Sequence, residues 1–452
     1  MGLLRRKSSI NPPYPYVPDE YFHHFARGVQ DGDGSPTETS LRWYGSPAFM
    51  EGFREQFLRL LPENTPNQLI NHKTLKALQW GSHEDMERTV QFLYRDCGEW
   101  YLPRKRKGQE FLSLRDLHTI WDNSKSRGPT SSEVSRVIKF YRSYGFPYPV
   151  VPRTRLVATV ERVRNTKLDG IFRNGKVHHA KTGMAVVNMF HLGIWSARTR
   201  ENKSYLETFE DDSLLEKIIR DRYVHGKGLT PSQILTGLRN RPKGPANYPP
   251  ATAKAIYDKY LPNSGNTLDP CGGYGGRMLG ALCSNKVKHH ISLEPATDTY
   301  KDTRTMLSIL RKTVPVVETR KTRLLNITAE EYCPPEKKEF FDLVFTSPPY
   351  FDQEIYSDEP NQVASSCKTM DDYKKWIQKI TRNWTFMMKK GAHLLIQISD
   401  PSVKNQERLP IISVWKDVLN LTTLIELSPL TYEYPGGRGK RSFETILVYQ
   451  KP

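Results

Sequence analysis

Residues 346–350 read Thr346-Ser347-Pro348-Pro349-Tyr350, and they close the apolar run Phe341-Asp342-Leu343-Val344-Phe345. The run reads as a buried strand. It stops abruptly, because two consecutive prolines continue neither a sheet ladder nor a helix. The prolines leave a stiff loop that offers a hydroxyl, backbone carbonyls and an aromatic ring at a strand's C-terminal edge. In an open α/β sheet that edge is where ligands bind. The loop suits a flat ring bearing an amino group. The carbonyl of Ser347 or Pro348 and the Ser347 hydroxyl can accept hydrogen bonds from its N–H groups, and Tyr350 can stack on its face. The plain alternative is a proline-rich turn with one exposed tyrosine.

A second stretch decides between them. Thr267-Leu268-Asp269-Pro270-Cys271-Gly272-Gly273-Tyr274-Gly275-Gly276-Arg277 precedes the apolar run Met278 to Leu282. The pattern is strand, glycine-rich turn, helix. Glycines let backbone approach a ligand closely, and the helix N-terminus beyond them favours polar or anionic groups. The spacing fits neither the dinucleotide fingerprint nor a P-loop, which needs a Gly-Lys-Ser/Thr ending. The next strand, His290-Ile291-Ser292-Leu293, ends at Glu294, well placed to accept hydrogen bonds from ribose hydroxyls. Candidate cofactor-binding residues are therefore Asp269, Pro270, Gly272, Gly273, Gly275 and Glu294, and the candidate catalytic residues are Ser347, Pro348, Pro349 and Tyr350.

Glycine turn, acidic strand end and Ser-Pro-Pro-Tyr, in that order, resemble the S-adenosylmethionine-dependent amino-methyltransferases that act on nucleic acid. From about residue 110 to 452 the chain is similar to phage- and plasmid-type DNA methyltransferases. Further matching pieces are Tyr144 to Tyr148, Asn188-Met189-Phe190-His191 with Trp195, Phe209 to Asp212, Asn247 to Lys254, Phe351 to Ser357 and Arg441 to Thr445. One departure is Leu293-Glu294-Pro295, where that family more often has Asp; Glu can make the same ribose contacts. The resemblance implies an α/β fold, with a Rossmann-like class I methyltransferase core of seven mostly parallel strands in residues 245–452. It implies that Asn247 and Tyr248 close over the methionine end of the cofactor, and that Glu330 or its neighbour Glu331 lies near the adenine.

The chain carries a net charge of +18 with a pI near 9.5, which points to a polyanionic partner. Basic clusters lie at Arg104 to Lys107, Arg162 to Lys176, Arg239 to Lys243 and Arg438 to Arg441. Within them Arg104, Lys105, Arg438, Lys440 and Arg441 are the candidate contacts to double-stranded DNA. Five scattered cysteines form no Cys-x-x-Cys pair, which disfavours a zinc site or disulfide framework. No apolar run is long enough to span a bilayer. The expected setting is reducing and intracellular, in the cytoplasm of a prokaryote or a phage-infected cell, with no membrane partner.

Residues 1–20 read as an extended arm. In residues 21–110, Phe22, Phe25 and Val29 keep helical spacing, Gly28 allows close helix approach, and Asp31-Gly32-Asp33-Gly34 ends the helix in an acidic turn. Strands at Arg42 to Tyr44 and Leu75 to Trp80 alternate with helices at Ser46 to Leu61 and Glu84 to Tyr94. This resembles the LAGLIDADG homing endonucleases, an α+β DNA-binding fold in which Asp33 matches the ligand of a divalent metal such as Mg2+. A single signature helix implies a homodimer paired through it. Asp33 would then act catalytically in phosphodiester hydrolysis, with Lys73 or Lys76 assisting. Domains of this kind also persist as plain DNA-binding modules, and Asp33 then only ends its helix.

Residues 111–244 read as a helical linker and DNA-recognition region, with helices at Leu112 to Trp121 and Ser131 to Tyr144 that suit either a helix-turn-helix or a packing hairpin. Ile171 to Lys181 reads as a basic turn or hairpin. About seventy residues separate the glycine turn from Ser-Pro-Pro-Tyr, leaving no room for a separate recognition domain in the core. Methylation at cytosine carbon 5 needs a cysteine nucleophile after the fourth strand, and Pro348-Pro349-Tyr350 stand there instead. Cytosine N4 and adenine N6 both remain, and the resemblance leans toward cytosine N4, which related enzymes with Ser at the first position of the motif favour. Three readings stand: a DNA amino-methyltransferase with an N-terminal DNA-binding domain, a bifunctional nuclease-methyltransferase of restriction-modification or homing type, and a non-catalytic DNA-binding protein.

Overall fold

The computed structural model describes residues 14–33, 35–36, 41–61, 70–72, 75–80, 83–94, 114–149, 151, 153–200, 202–240, 246–261, 263–318, 321–401, 408–435 and 441–452. Packing divides the chain into two compact units: residues 1–147 with 211–237, and residues 148–210 with 238–452.

In the first unit a helix, Phe22–Asp33, precedes strands β1 (Ser35–Pro36) and β2 (Leu41–Gly45), helix Pro47–Leu60, strands β3 (Ile70–His72) and β4 (Leu75–Trp80), and helix His83–Tyr94. The strands form an antiparallel sheet in the order β1-β2-β4-β3. Phe22, Phe53, Phe57, Trp43 and Leu93 fill its core. Ser46 caps the second helix, its hydroxyl accepting from the Phe49 amide at 3.4 Å. Helices Leu114–Ser124 and Ser131–Tyr144 come next, the second opened by a capping box between Thr130 and Glu133. The second packs against helix Asp212–Val224, and the Tyr141 hydroxyl donates to the Leu229 carbonyl at 2.5 Å.

The second unit holds a nine-stranded sheet. Its strands are β5 (Phe172–Arg173), β6 (Lys176–His178), β8 (Gly265–Asp269), β9 (Val287–Leu293), β10 (Lys321–Leu325), β11 (Phe341–Thr346), β13 (Met388–Ile398), β14 (Ile425–Pro435) and β15 (Arg441–Gln450). Two short strands, β7 (Arg198–Thr199) and β12 (Glu354–Ile355), pair separately. The order is β10-β9-β8-β11-β13-β15-β14-β6-β5. Strands β8 to β11 and β13 run parallel, and β15 runs antiparallel between β13 and β14. The sheet therefore exceeds the seven strands expected. The extra pair is the stretch read as a basic turn or hairpin, which forms the hairpin, and β6 joins the edge beside β14 in parallel register, Val177 opposite Tyr432. Hairpin sequence alone does not announce this, because edge addition depends on the exposed ladder of a distant strand.

Strand β11 lies in the middle of the sheet, and its side chains show why its sequence is apolar at nearly every position. Phe341 and Val344 enter one core, with helices Met370–Met387 and Ile411–Leu419. Leu343 and Phe345 enter the other, with helix Pro250–Tyr260. A strand covered on both faces loses the polar alternation of a surface strand. Each such side chain contributes roughly 1.5–3 kcal/mol by burial. Strand order turns back between β8 and β11: β9 and β10 lie to one side, β13 to the other. The chain leaves these two strands toward opposite faces, which opens a crevice at their C-terminal ends. No helix among the described residues is long and apolar enough to cross a membrane.

Candidate active site

The glycine turn and the Ser-Pro-Pro-Tyr loop both emerge at that crevice. β8 ends at Asp269, the turn comes next, and helix Gly276–Cys283 starts after it. Gly273 and Gly275 adopt left-handed backbone (φ 54° and 71°), which side chains disfavour. Gly276 lies against the Tyr248 carbonyl, and a Cβ there would collide with backbone. The Asn247 amide reinforces this closure, its Nδ2 donating to the Tyr274 carbonyl at 2.9 Å.

Glu294 comes directly after β9. Its carboxylate accepts from the amides of Gly273 and Ala296, both at 2.8 Å, so it braces the glycine turn from the next strand. Burial pushes its carboxyl up to about 7, against the pull of those two amides. Asp269 is placed differently. It is fully buried, accepts from Arg277 Nε at 2.9 Å and from Thr346 Oγ1 at 3.2 Å, and does not border the cavity. Arg277 also donates to the Cys271 carbonyl. Asp269 and Arg277 thus tie the glycine turn to the end of β11.

Ser347 to Tyr350 leave β11 into the crevice. The Pro349 carbonyl accepts from the Tyr373 hydroxyl at 2.7 Å, and Trp415 Nε1 donates to that hydroxyl at 3.1 Å. Burial raises the Tyr350 phenol, and the negative charges of Glu444 and Glu354 raise it further, while the nearby Ser347 and Ser399 hydroxyls pull it down. After the loop, the Glu359 carboxylate accepts from the Thr297 amide and hydroxyl at 2.8 and 2.9 Å. The segment beyond Tyr350 is thereby fastened to the turn beyond Glu294.

One cavity of about 1090 Å³ spans these parts. On its β8–β9 side it is lined by Asn247, Tyr248, Pro270, Gly272, Gly273, Tyr274 and Glu294. On its β13–β15 side stand Ser347, Pro348, Pro349, Tyr350, Gln397 and Glu444. Glu330 also borders it, and its carboxylate accepts from Trp376 Nε1 at 3.0 Å; Glu331 instead accepts from the Thr328 amide and hydroxyl. Gly275 is not among the lining residues. Two nearly buried polar atoms on the cavity wall have no hydrogen-bond partner, Asn247 Oδ1 and the Tyr274 hydroxyl. At the rim, Arg441 pairs with Glu433, Lys176 reaches the same carboxylate at 3.3 Å, and its ammonium lies 4.8 Å from the ring centre of the exposed Phe443. Arg104, Lys105, Arg438 and Lys440 lie outside the described residues, as do Lys73 and the side chains of Lys76 and Asp33; Asp33 itself ends helix Phe22–Asp33.

The β11 loop, β13 and β15 lie in the segment that matches a known family. Residues 341–452 match the DNA methylase family N6_N4_Mtase. The match starts at the first residue of β11 and takes in the Ser-Pro-Pro-Tyr loop and the β13–β15 wall of the cavity. Among solved structures, TrmN from Thermus thermophilus is similar at 12% identity and a TM-score of 0.31, over 45% of this chain and 49% of its own. A methyltransferase from Pyrococcus furiosus is similar at 13% identity and a TM-score of 0.30, over 47% and 86%. The N-methyltransferase NodS from Bradyrhizobium japonicum, solved with S-adenosyl-l-homocysteine, is similar at 11% identity and a TM-score of 0.27, over 42% and 78%. The chain spans about half the length of the first of these. Comparison with curated protein sequences gives no match.

Sequence reasoning did not single out Tyr274, Arg277, Gln397 or Glu444 as individual site residues. A signal existed for two of them. Gln397 breaks the apolar strand Leu394-Leu395-Ile396-Gln397-Ile398, and Arg277 opens an otherwise apolar helix whose eight residues are all buried.

Proposed function

We propose that the chain is an S-adenosylmethionine-dependent DNA methyltransferase acting on an exocyclic amino group, cytosine N4 or adenine N6. The observation that carries this reading is the meeting of the glycine turn and the Ser-Pro-Pro-Tyr loop in one cavity where strand order reverses. The DNA methylase match over residues 341–452 supports it. The cavity slightly exceeds the roughly 300–1000 Å³ of ordinary small-molecule sites, so it has room for a cofactor and a second planar group.

The residues present fit the cofactor. Asn247 Oδ1 is an acceptor for the ammonium of its methionine end, and the Tyr274 hydroxyl is a donor for the carboxylate. Glu294 is the acceptor for the ribose hydroxyls, while Glu330 and Trp376 border the adenine end. Bound there, S-adenosylmethionine supplies an electrophilic methyl group. The chain's own task is the amine, whose lone pair is delocalised into the ring. The Ser347 hydroxyl and Pro348 carbonyl accept its N–H groups and draw the nitrogen toward pyramidal geometry, and Tyr350 packs on the ring of a base turned out of the duplex. Tyr373 holds the Pro349 carbonyl, so the loop is already set before the base arrives. Carbon-5 methylation is disfavoured, because Cys271 lies in the glycine turn and burial pushes its thiol up, away from thiolate. Lys176, Arg441 and the exposed Phe443 at the rim suit a phosphate backbone and a base face.

Glu294 gives the reading a pH signature. Its carboxyl titrates near 7, and the ionised form is the stronger acceptor for ribose hydroxyls. Affinity for S-adenosylmethionine is expected to fall about tenfold between pH 8 and pH 6, as the competent fraction drops. Isothermal titration of the protein and its Glu294→Gln variant checks this. The variant should bind weakly at both pH values, and an equal pH slope in the two proteins would remove Glu294 from the site. The unliganded fold responds in the opposite sense. The raised carboxyl contributes stability at low pH that is lost as pH rises through 7, because the unfolded glutamate has already released its proton.

The first unit is read as a LAGLIDADG-like domain that binds DNA. Its order of helix, two strands, helix, two strands, helix supports this. Cleavage with Mg2+ at Asp33, in a homodimer paired through helix Phe22–Asp33, is the finer reading. Magnesium-dependent nicking of duplex DNA that disappears in Asp33→Asn would support it, and nicking that persists in the variant would assign the cut elsewhere.

A further inference from the structure

Gln397 sits in the apolar stretch of β13 and is 4% exposed. A buried amide destabilises a strand unless both its ends are paired. Both are. The Tyr248 hydroxyl donates to Gln397 Oε1 at 2.6 Å, and Gln397 Nε2 donates to Glu444 Oε2 at 2.6 Å. The chemistry of the partners orients the amide: a carboxylate only accepts, so the NH2 must face Glu444, and the amide oxygen is left for the tyrosine. Glu444 is thereby held as an acceptor on the cavity wall.

Its neighbourhood is aromatic. After burial, the Glu444 charge is among the causes that raise the phenols of Tyr248, Tyr350, Tyr432 and Tyr434. Glu354 also bears on Tyr350, and Arg277 on Tyr248. The other carboxylates of the wall are engaged by the protein as well. Glu294 accepts from the Gly273 and Ala296 amides, Glu330 from the Trp376 indole, Glu354 from the Tyr356 hydroxyl at 2.5 Å, and Asp400 from the Ile412 amide at 2.8 Å. Glu444 alone among them is gripped by a residue that is itself buried in the sheet and wired to the segment closing over the glycine turn. A carboxylate also has lone pairs for several donors. A planar group with N–H donors, slotted between tyrosines beside Ser347 and Pro348, matches this wall.

We propose that Glu444 is the specificity residue that reads the target base as amino-bearing. It shares one N–H of the exocyclic amine with the Ser347–Pro348 acceptors in a three-centre hydrogen bond, and Gln397 is its positioning residue. This rests on the amino-methyltransferase reading. The consequence is rejection of keto bases. Uracil in place of cytosine, or hypoxanthine in place of adenine, turns a carbonyl oxygen toward a carboxylate that has no proton to share, and that arrangement is repulsive.

The test uses the full chain with S-adenosyl-l-homocysteine, and duplexes whose methylated base has first been mapped with the wild-type protein. Affinity is measured by fluorescence anisotropy for the natural base and for its keto analogue at that position. Wild type should prefer the amino base by at least about tenfold, the value of one hydrogen bond to a charged group. Glu444→Gln, whose amide can donate to a carbonyl, should bring the preference within about twofold or reverse it. Gln397→Met should lose part of the preference. Each preference is a ratio within one protein, so a general loss of fold does not imitate it. A wild-type preference retained in Glu444→Gln overturns the proposal, as does wild-type methylation with no amino-over-keto preference; in both cases the amino-methyltransferase reading survives. A wild-type protein that methylates no base in DNA overturns that reading and this one with it.

Discussion

Tyr350→Ala is expected to lower kcat/KM for DNA methylation by about a thousandfold. Two losses combine. The ring no longer packs on the extruded base, a contact that is worth about 1–3 kcal/mol per base, or roughly ten- to a hundredfold. The loop also loses the Tyr350 hydroxyl, which stands near Ser347 and Ser399. Ser347 then has no fixed rotamer, and misplacing an acceptor by about 1 Å costs on the order of a hundredfold. Tyr350→Phe keeps the ring and should lose only the second factor, about a hundredfold. Single-turnover rates and cofactor affinity separate the terms: S-adenosylmethionine binding should be unchanged in both variants. An equal loss in Tyr350→Phe and Tyr350→Ala would show that the ring face takes no part.

Arg277→Met is expected to destabilise the fold by about 3–5 kcal/mol, as measured by urea denaturation at pH 7. Arg277 and Asp269 are both buried, 5% and 0% exposed, and meet at 2.9 Å. Removing the cation leaves a carboxylate in the core with one hydroxyl and one long amide contact for company, and an uncompensated buried charge costs about that much. Pairing Arg277→Met with Asp269→Leu should recover a large part of the loss, because no charge then remains to solvate. A double variant as unstable as the single one would mean that packing, not the ion pair, sets the penalty.

How much of this was legible in the sequence depends on the distance over which each contact acts. Phe341 to Phe345 announce a strand buried on both faces, and Pro348-Pro349 end it, because those are properties of neighbouring residues. The glycine turn is legible for the same reason, as is the helix Ser131–Tyr144. Asp269 was legible as a residue of that turn, but its assignment there was to the cofactor. Its bond to Arg277, eight positions on in the opening turn of the next helix, was not legible there. The chain Tyr248–Gln397–Glu444 joins residues 149 and 47 positions apart, and only the order of strands in the sheet brings them together. The addition of β5 and β6 to the sheet is of the same kind. Local chemistry gives the parts of the site, whereas strand order decides which parts face one another.

The most direct measurement is nucleoside mass spectrometry of DNA incubated with the purified protein and S-adenosylmethionine, with Pro349→Ala protein as the control. N4-methylcytosine or N6-methyladenine that appears with wild type and not with the variant is the predicted result. No methylated nucleoside in any DNA tested, or 5-methylcytosine in place of an amino-methylated base, would contradict it.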